Sequence, residues 1–115
     1  MSWEVELDDE FAAWLRGLAQ EERREILGTV ELLRQRGPNL GRPYADRVKG
    51  SHYPNMKELR IQIAGKPWRV LFAFDPNRTA LLLIGGDKSG DSRWYKTNIP
   101  IADARFGRHL IQLKE

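Results

Sequence analysis

Met56-Lys57-Glu58-Leu59-Arg60-Ile61-Gln62-Ile63, Trp68-Arg69-Val70-Leu71-Phe72-Ala73-Phe74 and Leu81-Leu82-Leu83-Ile84-Gly85-Gly86-Asp87-Lys88 follow one another along the chain with only short gaps between them. In the first run, Leu59, Ile61 and Ile63 fall on one face of an extended chain and Glu58, Arg60 and Gln62 on the other. The gaps, Ala64-Gly65-Lys66-Pro67 and Asp75-Pro76-Asn77-Arg78, have the residues and length of hairpin turns. The spacing therefore predicts an antiparallel meander with strands over 57–64, 67–74 and 79–85. Lys57, Arg60, Arg69 and Lys88 ride on it. Strands that only bury a core need no cations, so these four are expected to converge on one open face and meet an anion, RNA being the first polyanion to consider. Arg69 is the only charge in its strand and is expected to be exposed to such a partner.

On the N-terminal side, Trp3-Glu4-Val5-Glu6-Leu7 alternates as a half-buried strand does. Asp8 or Asp9 can cap the helix that follows, whose stripe is Phe11, Trp14, Leu15 and Leu18. Gln20 to Arg36 reads as a second helix, with Ile26, Leu27, Val30 and Leu33 inward and mixed charge outward. Gly37-Pro38 stops it, and 37–55 reads as a loop. On the C-terminal side, the glycine-rich segment 85–91 lacks the spacing of a phosphate loop. Asn98 is expected to cap a last helix over 99–110, with Pro100 in its first turn. The order predicts an α+β fold: an N-terminal strand and two helices packed on one face of a mainly antiparallel sheet, a short C-terminal helix, and the other sheet face free to line a groove.

The 115 residues suit a single domain, 1–115, large enough to bury its own core. With no cysteine, neither disulfides nor thiolate metal sites are available. No apolar run reaches the roughly 20 residues of a membrane helix, and Met1-Ser2-Trp3-Glu4 lacks the features of a secretory signal. The expected compartment is the cytoplasm, with no membrane partner. The net charge of +3 is unevenly spread: residues 1–50 hold 8 Lys/Arg against 10 Asp/Glu, and residues 51–115 hold 11 against 6. An acidic helical half beside a basic sheet again points to a polyanion on one side. No His and carboxylate cluster has metal-ligand spacing, so neither metal nor cofactor is expected.

Read in order, Lys57-Glu58-Leu59-Arg60, Trp68-Arg69-Val70-Leu71-Phe72, the apolar strand ending at Gly85-Gly86-Asp87-Lys88, and Trp94-Tyr95-Lys96 before Ile101-Ala102-Asp103-Ala104-Arg105 resemble the RelE/HigB superfamily of toxins, in its phage-derived HigB-type branch. The resemblance implies a toxin of a type II toxin–antitoxin pair that cuts messenger RNA, commonly on the ribosome, and is held inactive by a cognate antitoxin, here expected to be a DNA-binding helix-turn-helix protein. Many relatives carry Gly-Phe-x-Lys-Lys after the last strand. Gly85-Gly86-Asp87-Lys88 lacks the aromatic and one lysine.

Metal-independent RNA cleavage needs a base for the 2′-OH, charge stabilisation at phosphate and an acid for the 5′-oxygen. By the resemblance, Arg60 and Arg69 are the phosphate-stabilising guanidinium groups, which fork onto two oxygens. Each could instead serve in an ion pair, for example to Glu58 or Asp75. Lys57 matches a lysine at the strand start and is a candidate base. Lys88 is a candidate phosphate ligand or proton donor. Tyr95 matches an aromatic hydroxyl and could donate a proton or stack on a base. Trp94 could also stack or cover the core, Lys96 is a phosphate candidate, and His52 has a side chain suited to acid–base work. Ser51 beside His52, with no placed acid, makes no hydrolase triad. Two other readings stay open: a non-catalytic gyrase inhibitor of the ParE kind, and a catalytically decayed RNA- or antitoxin-binding module.

Overall fold

The computed structural model describes residues 2–115. Its elements run β1 (Val5–Leu7), α1 (Asp9–Arg16), α2 (Gln20–Arg36), a 3-10 turn (Gly37–Asn39), β2 (Ala45–Arg47), β3 (Lys57–Ile63), β4 (Lys66–Phe74), β5 (Ala80–Asp87) and α3 (Trp94–Leu113). The strands form one five-stranded sheet in the order β1-β5-β4-β3-β2. β1 runs parallel to β5 and the other pairs are antiparallel. The predicted meander forms with its bounds shifted by one or two residues.

Asp8 makes the helix α1 possible. Its carboxylate accepts from the Glu10 and Phe11 amides at 3.0 and 3.1 Å, two donors the first helical turn leaves free. At the start of α2, Glu22 reaches back to the Ala19 amide at 3.0 Å. Gly37 ends α2 with φ +57°, and the Trp3 indole lies where a Cβ would stand, 2.3 Å away, so two constraints demand glycine there.

The register puts Leu59, Ile61 and Ile63 under α1 and α2, where they join Phe11, Leu15, Ile26, Val30, Leu33, Val70, Phe72 and Leu82 in the larger core. Burying each such side chain contributes about 1.5–3 kcal/mol relative to leaving it exposed. Leu27, expected inward, is 47% exposed. It lies about 100° round the helix from Ile26, off the buried stripe of Ile26, Thr29, Val30 and Leu33.

The expectation of an open second face holds only in part. α3 starts at Trp94, before the expected cap at Asn98, and lies across that face. Leu71, Ala73, Leu81 and Leu83 pack there against Trp94, Ile99, Ala102 and Phe106. Asn98 is an interior residue whose side chain donates to the Trp94 carbonyl at 2.8 Å, and Pro100 falls in the second turn. A register shift between Leu71 and Phe72 in the β4–β5 ladder lets β5 supply Leu81, Leu83 and Ile84 to this second core. The loop 37–55 also holds β2, whose pairing runs from Ala45↔Leu59 to Arg47↔Lys57. Far from β3, α3 is pinned by Arg108 to Asp8 (2.8 Å), by Arg105 to the Leu83 carbonyl (2.8 Å) and by His109 to Asp75 (2.8 Å). No helix among the described residues is long and apolar enough to cross a membrane.

Candidate active site

What α3 leaves uncovered is the β2–β3 end of the sheet, and Glu58 is its centre. The side chains of Glu58, Arg60 and Gln62 alternate onto this face, and the pairing Arg60↔Arg69 brings the β4 arginine beside the β3 one. Two guanidinium groups side by side require an anion. Glu58 supplies it: Arg60 Nη1 donates to Oε2 at 2.8 Å, and Arg69 Nε lies 3.7 Å from Oε1. The first turn of α3 brings Tyr95, whose hydroxyl donates to Glu58 Oε1 at 2.5 Å and accepts from Arg69 Nε at 3.3 Å. Arg69 also donates through Nη1 to its neighbour's carbonyl, Trp68 O, at 2.9 Å. Burial, followed by the hydrogen bond to Glu58, holds the Tyr95 phenol above its ordinary pKa. It is therefore fully protonated at neutral pH.

Arg69 is 5% exposed and Glu58 4%. Arg69 is thus not the exposed cation the isolated charge in its strand suggests. The apolar neighbours along β4 bury it, and the ion-pair alternative with Glu58 is the one that forms. Arg60, with 23% of its side chain exposed, is the guanidinium that faces solvent.

Lys57 does not join the cluster. It is on the Leu59 side of β3, opposite Arg47, and its ammonium donates to the Pro38 carbonyl at 3.2 Å. Burial first, and then the charge of Arg47, lower its pKa. Lys88 does approach: its Nζ lies 5.8 Å from the centre of the Tyr95 ring. Trp94 is 5% exposed and packed in the second core, so it cannot stack on a base without leaving that core. It instead seats Tyr95, ring edge to ring face at 5.3 Å. Lys96 is exposed one residue further on. His52 is exposed; its ring meets Tyr53 edge to face at 5.1 Å, and its backbone amide donates to Asp103 at 2.9 Å. Asp103 also accepts from the Ser51 hydroxyl at 2.5 Å. An acid does meet Ser51-His52, but the imidazole does not lie between acid and hydroxyl, so the contact fastens the loop to α3 and forms no triad.

The diglycine that replaces the family aromatic has a steric reason. A Cβ at Gly85 would lie 2.8 Å from the Trp14 ring on one face, and a Cβ at Gly86 would lie 3.0 Å from Trp94 Nε1 on the other. The two indoles occupy the space that side chains on β5 would take.

The cluster opens into a groove of about 390 Å³ lined by Arg42, Asp46, Arg47, Val48, Lys49, Glu58, Arg60 and Tyr95. Arg42 clamps Asp46 through Nε at 2.9 Å and Nη2 at 2.7 Å, which keeps that carboxylate below its usual pKa. Glu58 and the β2 residues were not among the sequence candidates. The signal available for Glu58 was its place between the cations, two residues before Arg60 and directly after Lys57; for β2 there was none, because three residues in a glycine- and proline-rich loop carry no periodicity. Among the described residues no three His, Asp or Glu side chains are grouped as a metal site requires.

The phage-derived Gp49-like protein family matches residues 13–107. The chain is 52% identical to toxin HigB3 of Mycobacterium tuberculosis over 93 residues, covering 80% of each chain. It is 40% identical to toxin HigB2 of the same organism over its whole length, which spans 58% of that longer protein. Among solved structures it resembles a mutant of the E. coli toxin RelE in the free state, with TM-score 0.63, 12% identity and coverage of 91% of this chain and 98% of that one. It also resembles a chain of the archaeal RelE–RelB complex of Pyrococcus horikoshii, with TM-score 0.57, 14% identity and coverage of 78% of this chain and 99% of that one. At those identities the structures speak for the RelE-like fold alone. The family match and the HigB relatives go further: the chain belongs to the phage-derived Gp49-like family, as a HigB-type toxin of the RelE/HigB superfamily.

Proposed function

We propose that this toxin is a metal-independent endoribonuclease that cleaves messenger RNA, on the ribosome, and is silenced by a cognate antitoxin. The observation that carries the reading is the Glu58–Arg60–Arg69–Tyr95 cluster at the floor of an open, cation-lined groove. Each need of the reaction has a group within it. Glu58 is the acceptor for the 2′-OH proton, the role first assigned to Lys57. The freed 2′-oxygen attacks the adjacent phosphorus while Arg60, the solvent-facing guanidinium, forks onto the phosphoryl oxygens. The P–O5′ bond breaks, and Tyr95 or the neighbouring Lys88 protonates the leaving oxygen. The products are a 2′,3′-cyclic phosphate and a 5′-OH. Arg69, buried behind the cluster, orients Glu58 and Tyr95 and adds positive potential.

The burial of Arg69 also favours a second reading, in which the ion pair is structural and the toxin is non-catalytic, as in ParE-like gyrase inhibition. Induced expression separates the two. The nuclease reading expects growth arrest with rapid loss of message and translation. Arrest with intact message and blocked gyrase would overturn it.

A further inference from the structure

Arg47 and Lys57 stand directly opposite each other on β2 and β3. Like charges in that position destabilise a sheet, and a neighbouring carboxylate is the usual remedy. None is supplied. Among the described residues neither cation makes an ion pair, and Lys49, two residues beyond Arg47, makes none either. Asp46, next to Arg47 in sequence, faces Glu58 across the ladder and is clamped by Arg42. The Lys57 ammonium donates to the Pro38 carbonyl at 3.2 Å, and burial first and the charge of Arg47 second lower its pKa.

Arg47 and Lys49 stand on the rim of the proposed catalytic groove, which they line together with Glu58, Arg60 and Tyr95, while Lys57 lies behind Arg47 on the other side of β3. Arg47 pairs with Lys57, three residues along β3 from Arg60, and Lys49 follows just beyond the end of β2. At about 3.3 Å per strand residue Arg47 stands roughly 10 Å along the sheet from Arg60, a reach that a few nucleotides of extended single strand can span.

Resting on the ribonuclease reading, we propose that Arg47 and Lys49, left without a carboxylate partner and backed by the charge of Lys57, form a second anion seat at the β2 edge that holds backbone phosphates of single-stranded RNA flanking the scissile bond. The seat reads phosphate and not base, so it adds affinity and alignment without sequence preference. It also gives the exposed edge strand a function: β2 is short, and the charges of Arg47 and of Lys49 just beyond it protect the edge from pairing with another chain and suit it to lie along RNA.

The test is fluorescence anisotropy of a short labelled single-stranded RNA of mixed sequence against salt concentration, for the whole wild-type protein and for Arg47→Gln. Arg47 is exposed, so the variant is expected to fold, and a matching thermal melt checks this. Losing one phosphate contact should weaken binding roughly fivefold to tenfold near 50 mM salt and make the slope of log K against log salt shallower by about 0.7. Arg47→Gln/Lys49→Gln should double the change in slope. Arg34→Gln, which removes a cation from the exposed face of α2, should change neither quantity. Wild-type binding with unchanged affinity and slope in Arg47→Gln overturns the seat alone. Unchanged RNA binding with a weakened antitoxin complex overturns it too, and assigns the cations to the protein partner. Wild-type protein without affinity for the free RNA overturns the seat alone, whereas intact message after incubation with ribosomes overturns the nuclease reading on which the seat rests.

Discussion

Replacing Glu58 with leucine should be far more damaging than replacing Arg69 with methionine, although each removes one end of the same ion pair. The asymmetry follows from what each change leaves behind. Without Arg69, the Glu58 carboxylate keeps Arg60 at 2.8 Å and the Tyr95 hydroxyl at 2.5 Å. Without Glu58, Arg69 keeps only two neutral acceptors, the Trp68 carbonyl at 2.9 Å and the Tyr95 oxygen at 3.3 Å, while its charge stays 5% exposed. A buried charge stripped of its counter-ion costs about 3–5 kcal/mol. We therefore expect Glu58→Leu to lose that much in urea-induced unfolding, and Arg69→Met about 1–2 kcal/mol, the scale of a lost charged hydrogen bond. The double variant Glu58→Leu/Arg69→Met should recover most of the Glu58→Leu loss, because no buried charge then remains uncompensated. If Glu58→Leu costs under about 1 kcal/mol, as an exposed pair would, or if the double variant is as unstable as Glu58→Leu alone, the buried-pair account is wrong.

The Tyr95 phenol, raised by burial and Glu58, should titrate above the ordinary value of about 10 in ultraviolet difference spectra, as a late phase that Tyr95→Phe removes. Its raised pKa contributes stability fully present below the unfolded tyrosine value and lost as pH climbs through the folded one; a melt that Tyr95→Phe leaves equally alkali-sensitive would contradict this. Gly85→Ala should destabilise by about 1–3 kcal/mol through its clash with Trp14, measured by denaturant unfolding. Gly86→Ala, tighter against Trp94 Nε1 only at the margin, should cost less stability but displace Tyr95 and slow RNA cleavage; an unaltered rate would show that Trp94 does not position the hydroxyl.

The meander was legible because its signals are local: the Leu59, Ile61, Ile63 alternation and two turn-rich gaps set strands and register without help from the rest of the chain. The early start of α3 was not. Trp94-Tyr95-Lys96-Thr97 carries no helical cap, since Arg93 has no side-chain cap bond, and the turn forms because Trp94 is buried against Gly86. For the same reason the free sheet face shrinks to its β2–β3 end. The site was half legible. Arg60, Tyr95 and Lys88 meet where the ordered motifs place them, but strand parity sends Lys57 to the opposite face. Arg69, read as exposed because it is the lone charge of β4, is buried by that same apolar company. Glu58 was read only as an ion-pair partner, because a carboxylate among cations reads as their neutraliser, and only the contact with Tyr95 from α3 turns it into the centre of the cluster.

The most direct test of the central claim is end-group analysis of a labelled message incubated with ribosomes and the purified toxin, with and without chelator. The account predicts fragments ending in a 2′,3′-cyclic phosphate and beginning with a 5′-OH, formed equally well in chelator. It further predicts that Arg60→Ala slows their formation by at least about 10²-fold and that Arg60→Lys recovers little, because a point charge cannot fork onto two phosphoryl oxygens. Intact message, fragments with 3′-OH and 5′-phosphate ends, or cleavage abolished by the chelator would contradict it.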